Sequence, residues 1–435
     1  MTAIRKDNLF SMLRQDGPFA ITDRPPNGAF FSGANRPLTA MFKEAGALTK
    51  YRVIRNQIFE FLDVNSWAEL QTLLRDPSRQ QATGMRAYKL LGNMFGLEGN
   101  EREIVSRVDS YSRTADGVIR YLRNKVLANY ASYIEITNEI DIASNPVELL
   151  LITYNKRYHK KARFEAKRKL LLMQLAASID QRERETEIEA KFANFLNFLN
   201  DYVWSGNNLI GQLDHVYLLS DHDPDLFRCR QVTVLSPAQA EKVTAAPGRK
   251  LTLLKRRRFT VNGRDIPIYV SIRKKPPEAK VLKLLRKGEE NPAVAVDDEL
   301  GLMGVVDSAA EVKIFQKYLT QCAIKANSFM TLEEVSDSLS GGAHQNTSPG
   351  SSASTPMFKF FARMGGMRVE FIVHTNESYL NYMYQRDVAH DEYEVKRIFD
   401  SGVAELLFPW EIYHLDMKVV KEKLLRWFRN QIEEF

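Results

Sequence analysis

Two acidic residues of the chain have the type and placement needed for metal-assisted phosphate chemistry. Asp298 precedes an apolar, strand-like run (300–306), and Glu370 lies inside a second one (368–375). Removing an ionised carboxylate from water is costly unless it is paired, so each acid should either stay solvated or bind a cation. Two carboxylates that converge at a sheet can hold Mg²⁺, which keeps several waters and bridges to substrate phosphates. Glu370 is also a candidate acceptor for the proton of an attacking hydroxyl group.

Positive charge lies close in sequence to these acids. Arg273, Lys274 and Lys275 end a strand-like run that comes before Asp298. A reacting triphosphate needs cations that position it and stabilise its developing charge, and these three residues are candidates for that role. Asp297 and Glu299, which flank Asp298, need no function beyond solvating the mouth of the strand.

The basic residues of the chain are concentrated in two segments. The net charge is +7, yet residues 249–287 alone contain fourteen Lys and Arg against two acids. A second basic cluster occupies residues 154–169. Concentrated positive charge attracts polyanions, so we predict a nucleotide or RNA partner, the RNA being tRNA or ribosomal RNA. A solvated helix face plus a charged hairpin is the alternative interpretation. The candidate RNA-binding residues are Lys156, Arg157, Lys160, Lys161, Arg163, Lys167, Arg168, Arg256, Arg257 and Arg258.

The composition is that of an ordinary globular protein. The chain has 435 residues, enough for two or three domains, and 26% of them are charged. No apolar run approaches the length of a membrane span, and the first residues lack the apolar core of a signal peptide. The two cysteines, Cys229 and Cys322, are too far apart in sequence to indicate a disulfide framework or a zinc cluster. We therefore expect a cytoplasmic protein with no membrane partner.

The apolar pattern predicts an α+β fold in which a mainly helical N-terminal domain is followed by a domain with a mixed sheet. The predicted regions are an irregular N-terminal arm (1–40), a helical domain (41–210), an α+β domain (211–400) with a flexible loop (339–356), and a C-terminal amphipathic helix (401–435).

Turn and capping residues mark the elements of the α+β domain. Hairpins are expected at Asn262-Gly263 and at Gly365-Gly366. One helix should begin after Pro276-Pro277, and another at Ser308, where Glu311 completes a capping box. A further helix is expected from about residue 377 to 399, whereas 146–179 fits either one helix or two.

The order of the charged motifs resembles the synthetase domain of the RelA/SpoT family over residues 268–394. That family has an Arg-x-Lys pattern followed by a Ser and a basic residue. Here Arg273 and Lys275 match, Ala279 replaces the Ser, and Lys283 matches the basic position. The family then has Asp-x-x-Gly-x-Arg, and here Asp298 and Gly301 match while Met303 replaces the Arg.

Two later motifs continue the resemblance. The family pattern Val-Glu-x-Gln-x-Arg-Thr is matched at Glu370 and Thr375, with His374 in place of the Arg. The family's Ala-His pair followed by a Tyr corresponds to Ala389-His390 and Tyr393. The Gly-Tyr-x-Ser-x-His segment, whose Tyr stacks on the acceptor guanine in the family, has no counterpart in this sequence.

The resemblance implies a nucleotidyltransferase-like fold and a Mg²⁺-dependent transfer of pyrophosphate from ATP to a nucleotide or to tRNA. It further implies that Asp298 and Glu370 bind the metal and act in catalysis, and that Arg273, Lys275, Lys283 and His390 bind nucleotide phosphates. The replaced positions favour an alternative, in which the same fold has lost catalysis and serves as a basic RNA-binding or ribosome-binding protein.

Overall fold

The computed structural model describes residues 59, 64–73, 75–77, 92–93, 95–204, 213–296, 298–341 and 356–434. The predicted N-terminal arm (1–40), most of the predicted loop at 339–356, and Asp297 lie outside these residues. The chain divides into two compact units, each built from separate stretches of sequence. The first unit contains Met1–Thr186, Pro276–Val296 and Arg397–Val420, and the second contains Glu187–Lys275, Asp297–Lys396 and Lys421–Phe435.

The α-helices of the described residues are, in chain order, α1 (Trp67–Leu73), α2 (Glu101–Tyr121), α3 (Asn138–Ile142), α4 (Pro146–Tyr154), α5 (Lys160–Thr186), α6 (Ile188–Phe198), α7 (Pro237–Ala240), α8 (Pro277–Lys287), α9 (Pro292–Ala295), α10 (Ala309–Lys325), α11 (Asn376–Tyr384), α12 (His390–Asp400), α13 (Val403–Leu407), α14 (Trp410–Tyr413) and α15 (Met417–Glu433). Two of them continue into a π-helical turn, α2 at Leu122–Val126 and α6 at Leu199–Val203.

The part of the first unit that the structure describes is helical and is organised around the long helix α5. Helices α2, α4 and α8 all pack against it. Their facing side chains are fully buried, among them Val118 of α2, Leu172 of α5 and Leu284 of α8. Helix α8 is held at its start by Pro277 and at its end by Gly288, whose φ of 62° allows the left-handed turn that stops the helix. The segment 276–296 therefore belongs with the helical unit, although the sequence places it between strands.

The second unit is an eight-stranded mixed sheet with helices. Its strands are β1 (Asp214–His222), β2 (Cys229–Leu235), β3 (Arg249–Val261), β4 (Arg264–Lys274), β5 (Leu300–Val306), β6 (Thr331–Asp337), β7 (Phe358–Met364) and β8 (Met367–Thr375). The strand order is β2-β1-β3-β4-β5-β8-β7-β6. Neighbours pair antiparallel except β5 and β8, which are parallel. The α+β class predicted from the sequence is confirmed.

The two turns and the helix cap that the sequence predicted are present. Asn262 (φ 51°) and Gly263 (φ 74°) form the turn between β3 and β4, and Gly365 (φ 52°) and Gly366 (φ 75°) form the turn between β7 and β8. Both turns need residues that tolerate positive φ. Ser308 caps α10, and its hydroxyl accepts a hydrogen bond from the amide of Glu311.

The two faces of the sheet differ in character. One face carries the main apolar cluster, in which Leu302 of β5 and Phe371 of β8 pack with Phe195 of α6 and Phe315 of α10. The other face packs against α11 through a smaller cluster that includes Val305 and Tyr379. Because strand side chains alternate between faces, the second face is also where Arg273, Gly301 and Glu370 lie.

Three elements either differ from the sequence predictions or decide between alternatives that the sequence left open. Residues 146–179 form two helices, α4 and α5, rather than one. The helix expected at 377–399 is also two, α11 and α12, separated by residues 385–389. Strand β6 was not predicted, because Thr331–Asp337 is a polar strand at the edge of the sheet, without the apolar alternation that marks a half-buried strand.

Among the described residues, no helix is long and apolar enough to cross a membrane.

Candidate active site

Three adjacent strands bring the central motif residues into one row across the sheet. Arg273 of β4 is in register with Gly301 of β5, and Gly301 is in register with Glu370 of β8. Strands β4 and β8 are two strand spacings apart, about 10 Å. The Arg273 side chain nevertheless reaches Glu370, and its Nη2 lies 2.7 Å from Oε2 of the carboxylate.

Gly301 makes this contact possible. A Cβ atom added to Gly301 would lie 3.0 Å from Nε and 3.3 Å from Cγ of Arg273. The long side chain of Arg273 therefore crosses β5 over a position that has no side chain of its own. The Gly of the Asp-x-x-Gly pattern thus has a steric role in this structure, since any larger residue would meet the arginine.

A second cation binds the other oxygen of Glu370. Nζ of Lys359, on β7, lies 2.8 Å from Oε1, so one cation contacts each carboxylate oxygen. The side chains of Glu370 and Lys359 are 4% and 10% exposed, whereas that of Arg273 is 48% exposed. A buried carboxylate is tolerated only with such compensation. Lys359 was missed in the sequence, although a lysine within the apolar run Phe358–Met364 was an available signal.

Asp298 forms a separate ion pair at the mouth of β5. Its Oδ2 lies 2.6 Å from Nζ of Lys275, and both side chains are largely buried. The amide of Lys275 donates a hydrogen bond to the carbonyl of Glu299 (2.8 Å), which extends the β4–β5 ladder beyond Leu300. Asp298 is therefore not a solvated strand end, because it forms an ion pair with Lys275 of the Arg-x-Lys pattern.

Glu370 lies in β8 and Asp298 just before the neighbouring strand β5, so the two carboxylates lie at different levels along the sheet. Asp298 comes three residues before Gly301, the partner of Glu370, a separation of about 10 Å along an extended strand. Within the described ranges, no group of three or more His, Cys, Asp and Glu side chains is arranged to hold a metal ion. The donors suit Mg²⁺ chemically, because this ion often uses one or two carboxylates together with phosphate oxygens and water. Each carboxylate is ion-paired, so binding requires the cations to move.

Tyr382 of α11 stands beside the charged row. Its ring centroid lies 5.3 Å from those of His374 and His390. Burial raises the pKa of Tyr382 above its usual range, and Arg273 acts in the opposite direction. The phenol is therefore neutral and can serve as a hydrogen-bond donor. Tyr382 was not identified in the sequence, since nothing there indicates that α11 covers this face.

The replaced motif positions contain side chains of a different kind. His374 is fully buried, with Nδ1 3.0 Å from the hydroxyl oxygen of Ser378, and burial lowers its pKa to about 4. It is therefore uncharged at neutral pH, unlike the arginine of the family pattern. Met303 packs against the apolar cluster beside α11. Neither position supplies a cation to the site.

The other two predicted phosphate ligands are His390 and Lys283. His390 begins α12, with Nδ1 3.4 Å from Oδ1 of Asp391, and its ring contacts that of Tyr382 beside the row. Lys283 is buried on α8 in the helical unit. Its role in phosphate binding stays a prediction. A cavity of about 550 Å³ in the same unit is lined by residues such as Gln181, Glu185 and Glu290, and by none of the predicted site residues.

The predicted RNA-binding residues differ in how far their side chains are buried. Lys156 and Arg157 are exposed, and Lys160, Lys161 and Arg163 are half-buried. Three others require correction, because their side chains lie inside the protein: Lys167, Arg168 and Arg256. Arg168 donates to the carbonyl of Leu407 (2.7 Å), and Arg256 pairs with Asp307 (2.8 Å). Burial lowers the pKa of Lys167 to about 7.

The other two predicted RNA-binding arginines on β3, Arg257 and Arg258, are half-buried. Arg257 lies 5.6 Å from the ring of Trp204, and Arg258 is paired with Asp214 at 2.8 Å. The run Arg256–Arg258 is therefore built largely into the second unit. Among the ten predicted RNA-binding residues, Lys156 and Arg157 are the exposed ones.

No family model, curated protein or solved structure matches this chain.

Proposed function

We propose that this protein is a RelA/SpoT-like pyrophosphate transferase that uses ATP and Mg²⁺ and acts on a nucleotide or a tRNA. The observation that supports the proposal is the contact between Arg273 and Glu370 over Gly301. These residues come from three separate motifs of the sequence, and they form one cluster on adjacent strands. A chance resemblance of short motifs would give no reason for them to meet.

The cations of the cluster suit a triphosphate. Arg273 is half-exposed and presents a planar guanidinium that can bind phosphate with two hydrogen bonds. Lys275 and Lys359 are charged groups beside the two acids. When phosphates approach, these cations can exchange a carboxylate partner for a phosphate oxygen, which keeps each of them paired throughout. The exchange leaves oxygens of Asp298 and Glu370 available.

Asp298 and Glu370 would then each be able to bind Mg²⁺ together with phosphate oxygens, separately rather than as one pair, and the ion would neutralise charge on the transferring group. The chain's own residues orient the reactants around that position. The buried surroundings of Glu370 strengthen its electrostatic interactions, because water is largely excluded from them.

In the proposed reaction, a hydroxyl oxygen of the acceptor bonds to the β-phosphorus of ATP. The bond from that phosphorus to the α–β bridging oxygen breaks, AMP leaves, and the pyrophosphate group remains on the acceptor. The hydroxyl proton passes to an oxygen of Glu370 or to water. Arg273 and Lys359, once bound to phosphate, stabilise the charge that develops on the phosphoryl oxygens.

The test is incubation of the full chain with γ-labelled ATP and Mg²⁺, with GTP, GDP or tRNA as acceptor. We expect labelled acceptor and free AMP, and a loss of roughly 100-fold in Asp298→Ala and Glu370→Gln. Glu299→Gln is the matched control, because Glu299 is the adjacent acid and should leave transfer unchanged. Absence of transfer to every acceptor, with Asp298→Ala identical to the parent chain, would overturn the proposal.

RNA binding without catalysis is the second candidate. It is favoured by Met303 and His374, which supply no cation where the family has arginine, and by the exposed charge of Lys156 and Arg157. Its expected property is an RNA affinity that falls steeply with salt, since phosphate neutralisation releases counterions. Affinity that is absent or independent of salt would exclude it.

A further inference from the structure

An exposed tryptophan marks the surface of the helical unit. Trp410, the first residue of α14, is 58% exposed, a high value for the largest apolar side chain. The ring of His414 contacts it edge-on, with centroids 5.4 Å apart. More than half of this planar, apolar side chain is open to solvent, which suits stacking against another planar group.

A basic segment comprises the loop between α4 and α5 (155–159) and the first turn of α5. Residues 155–164 contain five Lys and Arg and no acid. The loop backbone is fixed, because Oδ1 of Asn155 accepts a hydrogen bond from the amide of Arg157 (3.0 Å) and Nδ1 of His159 accepts one from the amide of Lys161 (3.3 Å). Lys156 and Arg157 consequently project from an ordered segment.

The first turns of α5 contact the helix that carries the tryptophan. Nζ of Lys161 lies 5.5 Å from the centre of the Tyr413 ring, on α14. The Tyr413 hydroxyl donates to Glu165 (2.9 Å) and accepts from Arg168 (2.8 Å), which fixes α14 against α5. Trp410 is three residues before Tyr413, so the two lie on adjacent turns, about 5–6 Å apart at Cβ.

We infer that this surface, formed by Trp410, His414 and the basic segment 155–161, binds single-stranded RNA, with Trp410 stacking on a base and the basic segment contacting phosphates. Single-stranded nucleic acid is recognised by this combination of a stacking aromatic and a line of cations. A duplex would not offer a free base face to Trp410. Residues 401–416 around Trp410 contain no Lys or Arg and include the exposed acids Glu405 and Glu411, so the positive charge of the surface comes from the segment 155–161. The inference does not rest on the proposed transferase, whose metal-binding acids belong to the other unit.

The experiment measures binding of a dye-labelled 12-nucleotide single-stranded RNA to the full chain by fluorescence anisotropy. We expect Trp410→Ala to weaken binding roughly tenfold, as loss of one stacked base does. The double variant Lys156→Glu/Arg157→Glu should weaken it further. It should also reduce the slope of log affinity against log salt by about 1.4, or 0.7 for each lost phosphate contact. The matched control is Lys317→Glu/Lys325→Glu, which reverses two exposed lysines of α10 and should change neither quantity.

Further arms of the experiment use a duplex RNA of equal length and vesicles containing phosphatidylserine. Weaker binding of the duplex, with no effect of Trp410→Ala on it, would support the inference. Binding to the vesicles but not to RNA would overturn it, because the surface would then recognise anionic lipid. So would an RNA affinity that Trp410→Ala leaves unchanged, or one that the α10 control reduces as much as the loop variant. Transfer activity, measured separately, is expected to survive in Trp410→Ala with a nucleotide acceptor.

Discussion

The guanidinium of Arg273 passes over β5 and binds the carboxylate of Glu370 two strands away, with 2.7 Å between Nη2 and Oε2. Residues in register on a sheet normally contact only their immediate neighbours. The contact exists because the intervening residue is Gly301 and because Arg273 has the length to reach past it. One glycine thus couples a residue of the Arg-x-Lys pattern to the acid of the Val-Glu pattern.

Gly301→Ala should break this coupling. The new Cβ would lie 3.0 Å from Nε of Arg273 and push the side chain away from Glu370. We expect a loss of about 2 kcal/mol in the free energy of unfolding, measured by urea denaturation, and a large loss of any transfer activity.

Gly304→Ala is the control for Gly301→Ala, because it adds a Cβ to the same strand on the opposite face, 3.2 Å from Cδ1 of Ile268. It should affect stability but not transfer. If the Arg273 contact is what matters, Gly301→Ala should also cost less stability in a Glu370→Gln background. An equal cost in both backgrounds would contradict the coupling.

Lys359→Met should destabilise the protein by about 3 kcal/mol, because it leaves the buried Glu370 with only one cation, which is itself half-exposed. The cost should be smaller when Glu370→Gln is already present, and a double-mutant cycle in urea measures the difference. Lys313→Met is the matched control. Lys313 pairs with Asp337 at the surface, so its loss should cost less than 1 kcal/mol. Additive effects of Lys359→Met and Glu370→Gln would show that the buried pair contributes nothing.

The sequence was sufficient for much of the local structure around this site. Asn262-Gly263, Gly365-Gly366 and Ser308 each act within a few residues, so their turns and caps follow from local chemistry. The contact of Lys359 with Glu370 does not, because it depends on which strands become neighbours and in which register. The same holds for Arg168 and Arg256, which appear in the sequence as members of basic clusters. Their burial depends on distant partners, Tyr413 and Asp307, that no local pattern identifies.

The stability of the protein should fall between pH 6.5 and 4 because of His374. Burial lowers its pKa in the folded state from 6.5 to about 4. Over this interval the unfolded chain binds a proton that the native state does not, so acid favours unfolding. The full effect, reached below about pH 4, is about 3 kcal/mol. Above pH 6.5 the imidazole is neutral in both states and contributes no pH dependence.

Urea unfolding of the parent chain and of His374→Phe at several pH values tests this expectation. The difference in unfolding free energy between the two proteins should be constant above pH 6.5 and should shift in favour of the variant as the pH falls. His222, whose pKa burial also lowers, remains in both proteins and cancels in the comparison. A difference that is independent of pH would show that His374 does not carry the effect.

Lys160→Glu should stabilise the protein while weakening RNA binding. Helix α5 begins at Lys160 and has no acidic residue in its first turn, so the positive end of its dipole lies among cations. Replacing one cation with an acid should raise the free energy of unfolding by about 0.5 kcal/mol at low salt. The same change removes a charge that the inferred RNA surface needs, so affinity should fall.

Lys325→Glu supplies the opposite control for Lys160→Glu. Lys325 is in the last turn of α10, where a cation is favourable, and its reversal should lower the free energy of unfolding by a similar amount without affecting RNA binding. Both stability effects should shrink as salt is added, because exposed charges are screened. The opposite signs separate binding from folding: a variant that is more stable yet binds RNA less cannot have lost affinity by unfolding. If Lys160→Glu instead destabilised the chain, the cations at the start of α5 would have to be satisfied within the protein, and the surface would not be available to a phosphate.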